Sequence, residues 1–134
     1  MKKKILIVSA NYYKDIAIGL ETSAFEILID KKENAKKYKI NQIKVPGVFE
    51  IPVIIAKNIK KYDGFLALGC VIKGETPHFD FISQVSIDAI MKLSIENKKP
   101  IGNGIITSLN MNQAESRKDK GREAAKALLS VLKI

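Results

Sequence analysis

The run Phe65-Leu66-Ala67-Leu68-Gly69-Cys70-Val71-Ile72 is the most apolar segment of the chain and lies between Asp63-Gly64 and Lys73-Gly74. A short, continuously apolar run bounded by turn residues predicts a strand covered on both faces, the central strand of a parallel sheet. The remaining segments supply partners and crossovers for it. Lys4 to Ala10 reads as a second fully buried strand. Asp15 to about Lys31 carries Ile16, Leu20, Ala24, Ile27 and Leu28 at helical spacing. Tyr38 to Val45 alternates as a strand before Pro46-Gly47, and Phe49 to Ile59 returns to a helical pattern. After the central run, Gly74 to His78 predicts a turn and Phe79 to about Ile95 a long helix, with Thr76 as its N-cap and Pro77 as its first residue. Pro100 to Thr107 gives the last strand, and Asn110 to Leu132 a helical tail interrupted near Gly121. Strands alternating with helices predict an α/β fold. Specifically, a four-stranded parallel sheet is sandwiched between two helical layers, and ligands bind beyond the carboxyl ends of the strands.

A length of 134 residues with 46% hydrophobic content suits one domain over 1–134, able to bury roughly two-thirds of its unfolded surface. The basic start Met1-Lys2-Lys3-Lys4 precedes an apolar run that is too short for a signal peptide, and no segment approaches the ~20 apolar residues of a membrane span. A cytoplasmic protein without a membrane partner is the expectation. One cysteine excludes an internal disulfide framework, and a single histidine excludes the ligand clusters of a structural zinc site. Cys70, inside the apolar run, reads as a small buried hydrophobe rather than a nucleophile. Of the 23 basic residues only Arg117 and Arg122 are arginine, and the charge is spread along the sequence. Nucleic-acid binders concentrate arginine and aromatic residues on one face, so the net charge of +9 reads as solvated lysine surface with some attraction for small anions, and no nucleic-acid partner is expected.

The unusual residues all fall just after strands, where this architecture places its sites. They are Asn11-Tyr12-Tyr13, Pro46-Gly47, the segment Gly74 to His78 with the only histidine, and Thr107-Ser108. In the histidine segment Gly74 permits a tight turn. The open amides of a new helix, with the Thr76 hydroxyl, suit an anion such as phosphate, while His78 suits proton exchange near neutral pH. Spacing alone is equally compatible with an ordinary helix start and a surface histidine. Tyr12 and Tyr13 either stack on a planar ligand or seal the core, and Glu50 at a helix start is favoured by the helix dipole whatever else it does.

Read together, Val45-Pro46-Gly47-Val48-Phe49-Glu50-Ile51-Pro52 and Ala67-Leu68-Gly69-Cys70-Val71-Ile72-Lys73-Gly74-Glu75-Thr76-Pro77-His78-Phe79-Asp80 closely resemble the lumazine synthase family of riboflavin biosynthesis. The resemblance spans nearly the whole chain. It implies a flavodoxin-like strand order and a transferase that joins 5-amino-6-(D-ribitylamino)uracil to 3,4-dihydroxy-2-butanone 4-phosphate. The products are 6,7-dimethyl-8-ribityllumazine, phosphate and water, the penultimate step of the pathway, with no metal or redox cofactor. By the same resemblance, Tyr12 lies against the pyrimidine ring, and Gly47, Val48, Phe49 and Glu50 contact the ring and ribityl hydroxyls. Val71 and Ile72 line the ring, Glu75 and Thr76 hold phosphate, and His78 moves protons.

The resemblance further implies a homopentamer with active sites between subunits. Matching Gln113-Ala114 to the family's pattern makes Arg117 a phosphate clamp and brings in Lys120, both given by the neighbouring copy. Three departures stand out. Asn11-Tyr12-Tyr13 keeps the aromatic of the family's Arg-Phe-Asn but loses its arginine. Asn103 stands where many members place a phenylalanine over the ring. The loop between Arg117 and Lys120 is about five residues shorter, and the sequence starts directly at the first strand. Both last differences fall in regions the family uses for assembly, so the pentamer is expected ahead of a larger shell of pentamers. A non-catalytic flavin or lumazine binder on the same scaffold is the competing expectation.

Overall fold

A computed structural model describes residues 2–29 and 32–134. The chain alternates β1 (Lys3–Ala10), α1 (Lys14–Ile29), α2 (Lys32–Lys37), β2 (Tyr38–Val45), α3 (Ile51–Asn58), β3 (Gly64–Ile72), α4 (His78–Asn97), β4 (Ile101–Ser108), α5 (Met111–Ser116) and α6 (Gly121–Leu132), with a single 3-10 turn at Val48–Glu50. The four strands form one parallel sheet in the order β2-β1-β3-β4, the flavodoxin-like arrangement.

The two central strands divide their side chains between two cores by simple alternation. Ile5, Ile7, Leu66 and Leu68 point to one face, where α1 and α6 cover them with Leu20, Leu28 and Leu128. Leu6, Val8, Phe65 and Ala67 point to the other, beneath α3 and α4, which bring Ile51, Ile55 and Ile90. Leu6, Leu66 and Leu68 are fully buried, and truncating any one to alanine would cost about 2–5 kcal/mol. This is why the run from Phe65 shows no alternation in polarity: both faces of β3 are interior. β2 lies at the sheet edge and alternates instead.

The strand expectations hold to within a residue at each end. The helical ones need four corrections. First, α2 was not foreseen, because Lys32 to Lys37 has good helix formers but no apolar stripe to betray a helix; the expected end of the first helix at Lys31 lies outside the described residues. Second, the segment from Val48 begins as a 3-10 turn, Glu50 N–H donating to Gly47 O (3.2 Å), and becomes α-helical only at Ile51-Pro52. Third, α4 starts at His78 with Pro77 in the cap position, although Thr76 Oγ1 still accepts a long bond (3.4 Å) from His78 N–H. Fourth, Gly74 takes no left-handed backbone, and a Cβ placed there would meet nothing, so the turn itself does not require glycine.

The break in the carboxy-terminal helix has a steric cause. Gly121 is buried against α1, and a Cβ there would overlap the carbonyl oxygen of Leu20. Only glycine lets α6 approach α1 this closely. α5 therefore ends at Ser116, four residues turn, and α6 begins at Gly121.

Candidate active site

Connections leave β1 toward β2 on one side and, through β3, toward β4 on the other. The order thus reverses between β1 and β3, and a crevice opens beyond their carboxyl ends. A cavity of about 380 Å³ lies there. Its wall comes from the loop after β1 (Tyr12, Tyr13), the turn after β2 (Gly47, Val48, Phe49, Glu50), the end of β3 (Cys70, Val71, Ile72) and the start of α4 (His78, Ile82).

The two aromatic alternatives for the first loop turn out to be divided between neighbours. Tyr13 packs against the core, and burial beside Tyr12 holds its phenol above the usual tyrosine range. Tyr12 stands edge-on to it (ring centroids 4.9 Å apart) and remains 74% exposed. Across the cavity Phe49 is 57% exposed. Two large rings left uncovered on the rim of one concavity offer faces to a flat ligand.

The turn after β2 is held down by its one buried side chain. Val48 packs over Gly69 of β3, where an added Cβ would lie 2.7 Å from Val48 Cγ2 and 3.1 Å from Ala10 Cβ. This leaves Phe49 and Glu50 facing outward. The Glu50 carboxylate folds back over Gly47, with Oε1 3.1 Å from where a Cβ would stand, and it makes no capping bond to α3. It is therefore available to accept hydrogen bonds from a ligand.

At the far rim, Lys73 N–H donates to Ser108 O (2.9 Å), and the next backbone bonds are those from Asp80 and Phe81 to Pro77 O. The amides of Gly74, Glu75 and Thr76 between them stay open. With the positive end of α4 behind them, these unpartnered donors suit an anion beside His78. Glu75 and Thr76 themselves are exposed and lie outside the cavity wall.

Asn103, Arg117 and Lys120 do not enter this cavity. They line a separate groove of about 590 Å³ along the open edge of β4. Arg117 is not a freely solvated charge, since its Nη1 donates to Thr107 O at 2.9 Å and pins the guanidinium over the end of β4. Lys120 pairs with Glu123 (3.2 Å), and Asn103 Oδ1 accepts the edge N–H of Ile105 (3.0 Å), leaving its amide NH2 outward.

Two cavity residues, Cys70 and Ile82, are not among the site residues the sequence points to, whereas Tyr13 is there as one of two alternatives. Ile82 could have been found, because it follows His78 by four residues and so shares its helix face. Cys70 is buried, as its apolar neighbours imply, and burial pushes its thiol up to about 11. It offers the cavity a neutral, weakly polar surface. Among the described residues no group of three or more His, Cys, Asp or Glu side chains is placed to hold a metal ion, and no helix is long and apolar enough to cross a membrane.

Comparison with known proteins bears on this geometry. The family model of 6,7-dimethyl-8-ribityllumazine synthase matches residues 2–134. The protein of that name from Agrobacterium fabrum is 42% identical over 145 residues, covering 99% of this chain and 95% of its own length. Its namesake from Bartonella henselae is 44% identical over 140 residues, covering 98% and 87%. The 6,7-dimethyl-8-ribityllumazine synthase 1 of Rhodopseudomonas palustris is 39% identical over 143 residues, covering 98% and 85%. A match over nearly the full length, with the cavity at the fold's switch point, leaves one conclusion: the chain belongs to the 6,7-dimethyl-8-ribityllumazine synthase family.

Proposed function

We infer that this chain condenses 5-amino-6-(D-ribitylamino)uracil with 3,4-dihydroxy-2-butanone 4-phosphate to 6,7-dimethyl-8-ribityllumazine, releasing phosphate and water. The observation that carries the reading is one crevice with two recognition chemistries in its wall and a third at the helix start beside its His78, in a chain matched by that family from residue 2 to residue 134. Exposed rings suit a heterocycle, an uncommitted carboxylate with nearby backbone suits a polyol, and open amides beside an imidazole suit phosphate. Tyr12 and Phe49 flank the pyrimidine, Val71 and Ile72 form its apolar floor, and Gly47, Val48 and Glu50 take the ring edge and ribityl hydroxyls. The phosphate sits on the amides around Glu75 and Thr76.

The chemistry needs positioning and proton movement. The substrate amine attacks the ketone carbonyl and water leaves to form an imine. Phosphate is then eliminated, and the second amine closes the ring with further loss of water. Each stage takes a proton from nitrogen or carbon and delivers one to a departing oxygen. His78, on the first turn of α4 beside the phosphate cradle, is the group within the cavity suited to both roles. Holding the two substrates together supplies much of the remaining acceleration.

The working unit is a cytoplasmic homopentamer in which the groove carrying Asn103, Arg117 and Lys120 closes the neighbour's cavity. Two features support assembly. The edge of β4 has open backbone groups, and α4 exposes Phe81 (65%), Val85, Met91 and Ile95 (67%) within one sector of its surface. Placed against the neighbour's phosphate cradle, Arg117 would offer the bidentate contact that lysine cannot. Purified protein mixed with both substrates should release orthophosphate and fluorescent lumazine in equal amounts, faster than the spontaneous reaction. Saturable ring binding without turnover would instead identify a non-catalytic binder.

A further inference from the structure

Five of the 21 lysines, from three separate stretches of the sequence, come together in space. At the amino end of the sheet, opposite the candidate active site, β1 and β2 begin and α2 and α6 end. The four meeting elements bring Lys2, Lys3, Lys36, Lys37 and Lys133 around one cavity of about 440 Å³ with Tyr38 and Leu132 in its lining. Among the described residues no carboxylate side chain lines it, and none of the five lysines makes an ion pair with a described side chain. Among the described residues only Lys3 Nζ has a protein partner, the carbonyl oxygen of Leu132 at the end of α6 (2.8 Å). That bond serves the helix terminus. The same explanation does not extend to Lys2 or to Lys133, which line the cavity together with Lys36 and Lys37.

We propose that this cavity is a binding site for a small oligophosphate, a ligand with two or more adjacent phosphate groups. Five lysines lining one concavity with no described carboxylate give it a concentrated positive potential, which a compact ligand carrying several negative charges matches best. The volume lies within the range of small-molecule sites and exceeds what a lone phosphate fills. Lysine ammoniums act as point charges and read charge rather than planar shape, which matches a flexible phosphate chain. An extended nucleic-acid strand is a poorer fit, since it is held by exposed aromatic platforms and arginine, and the one aromatic ring here, Tyr38, is buried. The inference is independent of the activity proposed above.

Inorganic tripolyphosphate titrated calorimetrically into the full chain is the direct test. Comparison is made with the double variant Lys36→Glu/Lys133→Glu and with Lys57→Glu/Lys126→Glu, which makes the same change of net charge at exposed positions away from the cavity. The expected result is at least a tenfold weaker affinity in the first variant, little change in the second, and a steep fall in affinity with salt for the unmodified chain. Lumazine formation should be unchanged in both variants, which separates this site from the active site. Equal affinities in the two variants would overturn the proposal and assign the binding to diffuse charge. Tighter binding of a single-stranded oligonucleotide than of tripolyphosphate, lost in the same variant, would also overturn it, in favour of a nucleic-acid surface.

Discussion

Gly69→Ala is the most informative single change, because it presses on the site from below without touching a ligand. Its Cβ would lie 2.7 Å from Val48 Cγ2 and 3.1 Å from Ala10 Cβ. The first contact is at least ~0.7 Å short of ordinary van der Waals separation, and both neighbours are buried. Valine has little rotamer freedom, so the strain passes to the backbone of the turn carrying Gly47, Phe49 and Glu50. Overpacking of this size costs about 1–3 kcal/mol, which for 134 residues is a fall in Tm of roughly 4–10 °C. Withdrawal of the turn should also cost about 1 kcal/mol of ring and ribityl contact, roughly a fivefold rise in KM for the pyrimidine substrate. The control is Gly64→Ala, at the other end of the same strand, where a Cβ meets Leu128 Cδ1 at 3.0 Å and the Leu132 methyls at 3.3 Å. It should lower Tm while leaving KM alone. Thermal scans at fixed protein concentration and steady-state kinetics of lumazine fluorescence measure both quantities. A destabilised Gly69→Ala with unchanged KM, or an equal rise in KM for Gly64→Ala, would refute the claim that Gly69 seats the turn.

Three further outcomes are expected. His78→Ala should lower kcat by about 100-fold or less, the lower end of acid–base effects, because positioning persists without the imidazole; a complete loss with intact substrate binding would show a larger role. Arg117→Ala should weaken competition by orthophosphate against the phosphorylated substrate roughly tenfold, the scale of a charged hydrogen bond, and unaltered competition would count against the clamp. Cys70, with its thiol near 11, should hold only ~10⁻³ thiolate at pH 8 and resist alkylation in the folded protein, so rapid labelling under native conditions would contradict its burial.

The architecture was readable in the sequence because the two central strands are interior on both faces. The runs from Ile5 and Phe65 carry that fact in composition alone, and Tyr38 to Val45 shows the alternation of an edge strand. α2 escaped because a helix stabilised by propensity leaves no periodic trace. The start of α4 shifted by a residue because Thr76 and Pro77 both suit a helix start, and the choice between them is a matter of backbone angles. Site residues separated in sequence were legible as strand-end segments, and the fold brings Tyr12, Glu50, Val71 and His78 into one wall. What could not be read was spatial grouping across elements. Asn103, Arg117 and Lys120 share a groove apart from that wall, and five lysines from three separate stretches of the chain share another cavity. Such groupings depend on how α6 docks against α1 and β4, which rests on the closeness allowed by Gly121, Gly102 and Gly104.

The central claim is catalysis of lumazine formation by this chain. Its most direct test is the initial rate of lumazine fluorescence when purified, folded protein is added to both substrates, corrected for the spontaneous rate. The account predicts a rate proportional to protein and saturable in each substrate. A folded protein that leaves the spontaneous rate unchanged at every concentration would contradict it.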